Sequence, residues 1–290
     1  MLQVKNLAEM QKKGNQTISI LIYGESGSGK TTFASTSAQL GKVLYIDLEN
    51  GTKFIDKELS KNIDIMNISS INDLDDIFVE SNITEYKTVV IDSITDLLTR
   101  LIEEVKGGKE NVSLPDWNII IGKFERLMRK LRKYEKNVIL IALSQDKEDE
   151  NKIIKRPMLA TKGLPHKIPA LFDYILYIAQ DDLHNRFILT NETGKYLAKC
   201  RVFKNQELPN KLEKEQINFK WFYEYVLVPA QQASPEQIQE VKDKFKELKI
   251  TQNQITDALI WAGVIDIKQL TVPAYQKLVE LLDKKLAMKK

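Results

Sequence analysis

The chain has 290 residues, apolar and charged fractions near globular averages, a net charge of +3 and one cysteine, Cys200. So small a net charge excludes binding to nucleic acid or membrane through overall charge, and any basic surface must be local. A single cysteine excludes an internal disulfide and fits a reducing cytoplasm, and residues 1–13 read as neither a signal peptide nor a membrane span.

Residues 18–23 form a short apolar run rich in β-branched residues, which predicts a strand. It leads into a glycine loop, after which residues 30–40 read as a helix. Residues 43–48, 87–92 and 138–144 predict three more buried strands, with helical spacing at 94–105 and 117–134 between the last two. Continuous apolar strands alternating with helices predict an α/β fold with a mostly parallel central sheet covered by helices on both faces. Residues 146–170 are polar and carry Pro157, Gly163, Pro165 and Pro169, which predicts a long functional loop. Residues 172–179 return to strand character. Residues 186–190 and 195–203 flank Asn191-Glu192-Thr193-Gly194, which reads as a hairpin turn. Residues 221–228 read as a last, aromatic-rich strand. The expected organisation is an extension (1–16), an α/β core (17–228), a linker (229–233) and a small all-helical module (234–290). In the module, Ser234-Pro235 reads as a helix cap followed by a first-turn proline.

Gly24-Glu25-Ser26-Gly27-Ser28-Gly29-Lys30-Thr31 has the pattern G-x-x-x-x-G-K-T between a strand and a helix, the context of a phosphate loop. Glycines let the backbone fold so that its N–H groups point at phosphates, and a helix N-terminus favours the same charge. Residues 24–31 together with Thr32 are therefore the candidate nucleotide contacts. Lys30 is expected on the β- and γ-phosphates and Thr31 on Mg²⁺, with ATP as the expected nucleotide. Asp92 ends an apolar strand at the crevice where such sheets bind ligands, a place for a second magnesium contact. Glu49 ends the second strand and can orient and deprotonate an attacking water, with Asp47 as its substitute. Gln145, at the end of the fourth strand, can contact the γ-phosphate and pass its presence to the loop that follows. His166 and His184 are too few and too scattered for a metal site.

Together these residues resemble the RecA-like P-loop ATPases: a phosphate loop, then I-D-x-E, then an apolar-D-S strand, then a strand ending in S-Q. Within that class the chain resembles the phage single-strand annealing ATPases, the Sak-four group of phage recombinases. The cues are G-E-S-G-S-G-K-T-T-F-A, V-V-I-D-S-I-T-D-L-L, F-D-Y-I-L-Y-I and A-K-C-R, within residues 17–203. The resemblance implies a RecA-like core and a homo-oligomeric ring or filament. It implies that Lys199 and Arg201 reach a neighbour's γ-phosphate. It also makes 146–170 the second DNA-binding loop, with Lys152, Lys155, Arg156, Lys162 and Lys167 on single-stranded DNA. Lys106-Gly107-Gly108-Lys109 is a secondary candidate for the first such loop. The implied function is a DNA-stimulated ATPase of phage recombination in the host cytoplasm. Its helical module is a candidate dock for a single-strand binding protein. The alternative is a P-loop ATPase that loads a helicase or acts as a protein-binding switch in DNA replication.

Overall fold

A computed structural model describes residues 17–70, 72–74, 83–133, 135–149, 152–159, 169–201, 208–227, 232–262, 264 and 266–288. The apolar runs become strands β1 (Ser19–Gly24), β2 (Val43–Asp47) and β4 (Thr88–Asp92), and every residue in each is buried. They tolerate full burial because helices cover both faces of the sheet. β3 (Ile63–Met66) closes one edge. The strand order is β10-β8-β7-β1-β5-β4-β2-β3, with β5 (Asn137–Asp149) and β7 (Tyr174–Gln180) on either side of β1. β2, β3, β4, β5, β1 and β7 run parallel, β8 (Arg186–Leu189) pairs antiparallel with β7, and β10 (Lys211–Glu213) pairs antiparallel with β8. The register places Gly24 level with Leu143 and Asp47 level with Asp92, so the phosphate loop and both acids leave the same end of the sheet.

The phosphate loop runs into α1 (Lys30–Ser35), which tightens into a 3₁₀ turn over Thr36–Leu40 where one continuous helix was expected. A one-turn α2 (Lys57–Ser60) precedes β3. α3 (Ile94–Lys106) buries Ile94, Leu97, Leu98 and Leu101, the spacing of one helical face. The Ser93 hydroxyl caps its start by accepting from Asp96 N, and Gly107 ends it in the left-handed region at φ 56°. α4 (Leu114–Lys133) packs Phe124 and Leu127 into the same core as Leu21, Tyr23 and Ile46.

Three local expectations need correction. Residues 146–149 and 152–157 are paired strands of a β-hairpin, not the start of a structureless loop: β5 extends to Asp149 and pairs antiparallel with β6 (Lys152–Pro157). Opposed charges along this ribbon, such as Asp146 across from Lys155, stabilise pairing without an apolar signature. Residues 191–194 do not close a hairpin. β8 and the short β9 (Lys199–Cys200) both pair with β7, at different heights, on the edge away from β1. Residues 221–227 of the expected last strand are helical instead, within α5 (Phe219–Leu227), and position 228 lies outside the described residues. Asn218 Oδ1 accepts from Trp221 N as a cap, and Phe219, Phe222, Tyr223 and Val226 repeat at helical rather than alternating spacing.

The described residues divide into two compact units, one within 17–201 and 208–224, the other within 225–288. The second holds α6 (Pro235–Glu247), α7 (Gln252–Trp261) and α8 (Val272–Ala287). Ser234 and Thr251 open the first two with capping boxes, and Val241, Phe245, Leu278 and Leu282 form their own core. The expected extension at 1–16 lies outside the described residues, as do positions 229–231 of the expected linker. Among the described residues no helix is long and apolar enough to cross a membrane.

Candidate nucleotide site

The loop between β1 and α1 depends on glycine at two places. A Cβ on Gly24 would lie 2.1 Å from the Ile178 carbonyl oxygen on β7, and Gly29 adopts φ 104°, where L side chains are strained. Lys30 is buried, and its ammonium donates to the loop carbonyls of Gly24 (3.0 Å) and Glu25 (2.7 Å). Burial pulls the Lys30 pKa down, while the charges of Asp92, Glu49 and Glu25 push it up. The Ser28 hydroxyl is buried and has no hydrogen-bond partner among the described residues. A cation held by carbonyls it can exchange and an unpaired hydroxyl in the same loop are what a phosphate group would satisfy.

The Thr31 hydroxyl donates to Asp92 Oδ2 at 2.7 Å, and the Tyr45 hydroxyl donates to the same oxygen at 2.7 Å. Desolvation raises the Asp92 pKa against the lowering effect of these two bonds. A hydroxyl and a carboxylate are hard oxygen donors, and magnesium usually takes one or two protein ligands beside substrate phosphates. Thr31 and Asp92 therefore fit that ion. No group of three or more His, Cys, Asp or Glu side chains forms a separate metal site among the described residues. The Asp92–Ser93 peptide is cis.

Glu49 and Asp47 do different work. The Asp47 carboxylate is saturated by the backbone N–H groups of Glu49 (3.2 Å), Gly51 (3.2 Å) and Thr52 (3.1 Å) and by the Thr52 hydroxyl (2.5 Å). It builds the turn that presents Glu49. The Glu49 carboxylate accepts from the Ser93 hydroxyl, next to Asp92, and stays exposed. Gln145 lies on β5 between the loop strand and the Asp92 strand, with its amide donating to Pro157 O of the hairpin at 3.2 Å.

The basic residues divide. Lys155 bridges Glu25 of the phosphate loop (3.0 Å) and Asp146 (3.0 Å), and both carboxylates raise its pKa. Lys152 is exposed on the same hairpin, Arg156 is half-buried, and Lys162 and Lys167 lie outside the described residues. The Lys199 ammonium donates to the carbonyls of Phe172 (2.8 Å) and Pro169, and Arg201 pairs with Asp173 at 3.2 Å. Lys199 is level with Ile175 and Leu21, toward the end of the sheet away from this chain's own phosphate loop.

Three neighbours were not anticipated. Tyr45 bonds Asp92, Gln180 donates to Gly27 O at 3.4 Å, and the Arg186 side chain lies against Gly29. Tyr45 had a readable signal: a tyrosine inside an aliphatic buried strand needs a partner for its hydroxyl.

The raised pKa of Asp92 gives a testable sign. A carboxyl whose folded pKa exceeds its unfolded value loses stability as pH rises from the unfolded pKa through the folded one. Asp92→Asn keeps an acceptor for Tyr45 and Thr31 and removes the buried charge. Thermal unfolding of the nucleotide-free variant at neutral pH is expected at a higher Tm than the parent, with magnesium-dependent ATP turnover lost. A lower Tm would contradict the assignment.

A family model described as an AAA domain matches residues 16–202, more than half of the chain. A solved structure of a KaiC-like protein from the hyperthermophilic archaeon Pyrococcus horikoshii is similar at 21% identity and a TM-score of 0.40, over 59% of this chain and 77% of that one. No curated protein matches the chain.

Proposed function

The chain belongs to the AAA-domain family, a P-loop domain typical of ATP-hydrolysing enzymes, and from that premise we propose that it is an ATP-operated switch whose output is binding of a protein partner. The observation that carries this reading is the Lys155 bridge between Glu25 of the phosphate loop and Asp146 of the β5–β6 hairpin. Lys30 leaves the carbonyls of Gly24 and Glu25 when it takes phosphate oxygens, which changes the loop residue that Lys155 holds. Thr31 and Asp92 would hold magnesium, which when bound would supply charge neutralisation to the phosphates. Glu49, fixed by the turn that Asp47 builds, orients the attacking water and takes its proton. Lys199 and Arg201 serve the site of a neighbouring subunit in a homo-oligomer, since they stand away from their own. The hairpin offers an exposed Ile153, and its Lys155 is already neutralised, both of which favour a protein surface over a DNA backbone.

A second reading keeps single-stranded DNA annealing, in the manner of the Sak-four group. It is favoured by the acid-free run 151–167, with Lys152 exposed. ATP turnover and anisotropy of a labelled single-stranded oligonucleotide, each with and without the other ligand, separate the two. The switch reading expects turnover that DNA leaves unchanged and a replication helicase retained only with Mg²⁺ and a slowly hydrolysed ATP analogue. Turnover stimulated roughly tenfold by DNA, with nucleotide-dependent DNA binding, would overturn it in favour of annealing.

A further inference from the structure

The sheet gives the nucleotide site a direction. β1 carries the phosphate loop; β4, with Asp92, lies two strands to one side, and β8, with Arg186, lies two strands to the other. Thr31 faces the Asp92 side through its hydroxyl. Gly29 and Thr32 border a cavity of about 610 Å³ on the β8 side, whose far walls come from the β7–β8 turn and from Lys214 and Ile217 after β10. A triphosphate with its terminal end at Thr31, Asp92 and Glu49 therefore points its other end into this cavity.

The cavity walls carry two cations, Arg186 and Lys214, and no carboxylate. The Arg186 Cδ and Nε lie 3.0 Å from where a Gly29 Cβ would stand, so glycine there admits the guanidinium to the loop. Arg186 makes no salt bridge among the described residues. The turn beside it is firmly built: the Asp181 carboxylate accepts from Leu183 N (3.0 Å), Asn185 N (2.8 Å) and Asn185 Nδ2 (3.2 Å). Gln180 ties the turn to the loop through Gly27 O at 3.4 Å. A preformed wall bearing an uncommitted guanidinium suits an anionic ligand with a bulky uncharged end.

We propose that this cavity receives the nucleoside end of the bound nucleotide and that Arg186, from the same subunit, contacts the phosphate nearest the ribose. This rests on the reading of residues 24–31 as a nucleotide site. Titration of the full chain with Mg·ATP and with Mg·tripolyphosphate, which has phosphates and no nucleoside, tests both halves. Arg186→Ala should weaken both ligands roughly 10- to 100-fold, the effect of losing a charged hydrogen bond, and Arg186→Lys should recover part of it. Ile217→Trp, which fills the cavity, should weaken ATP at least about tenfold while sparing tripolyphosphate. The unfolding temperature of each ligand-free variant checks its fold, and Arg186 is exposed, so its loss should leave that temperature unchanged. Parent-like ATP affinity in Arg186→Ala would overturn the phosphate contact. Equal losses for both ligands in Ile217→Trp, or none, would overturn the nucleoside placement. A parent chain that binds neither ligand would instead sink the underlying nucleotide reading.

Discussion

Lys30→Ala is expected to abolish measurable nucleotide binding and to reduce ATP turnover by at least ~10²-fold, the loss seen when one preorganised donor to developing charge is removed. The expectation follows from where the ammonium sits. Lys30 is buried beneath the loop, and its hydrogen bonds go to two carbonyls, Gly24 O and Glu25 O, that only loop backbone can offer. Those bonds hold the charge in place and are exchangeable for phosphate oxygens at little cost. Removing the ammonium also takes away a positive charge on which the fields of Asp92 and Glu49 act. A triphosphate would then enter a pocket with uncompensated negative charge. Phosphate release under saturating ATP measures the effect; turnover within a factor of a few of the parent would refute the role.

Glu49→Gln is expected to separate binding from chemistry. Glutamine has the same size and can still accept from the Ser93 hydroxyl, so the turn and the nucleotide affinity should persist. It cannot take a proton from water, and loss of a positioned general base costs roughly 10²–10⁴-fold. The variant should hold ATP with near-parent affinity and convert it slowly in a single turnover. Asp47→Asn would disturb four bonds within the 47–52 turn and should weaken binding as well as turnover. Equal single-turnover rates in parent and Glu49→Gln would remove Glu49 from the chemistry.

Much of this architecture was readable from residue order because the sheet is buried. Runs such as 18–23 and 87–92 need burial on both faces, and a glycine loop between strand and helix leaves few alternatives. Glu49 and Asp47 were both visible as strand-end acids, but the choice between them rests on the bonds that consume Asp47. The ribbon of β5 and β6 was hidden because its pairing uses opposite charges instead of an apolar face. α5 was hidden because its aromatics suggested a strand, and only their spacing and the Asn218 cap say helix. Arg186 could not be found from order at all. It reaches Gly29 through the antiparallel addition of β8 to β7, an approach that depends on topology.

Every role assigned to the site requires residues 24–31 to bind a nucleoside triphosphate with magnesium. Calorimetric titration of Mg·ATP into the full chain and into Lys30→Ala tests that requirement most directly. The parent should bind at one site per chain, weaken when magnesium is chelated, and lose the site in the variant. Equal binding by parent and variant, or no binding by the parent, would contradict it.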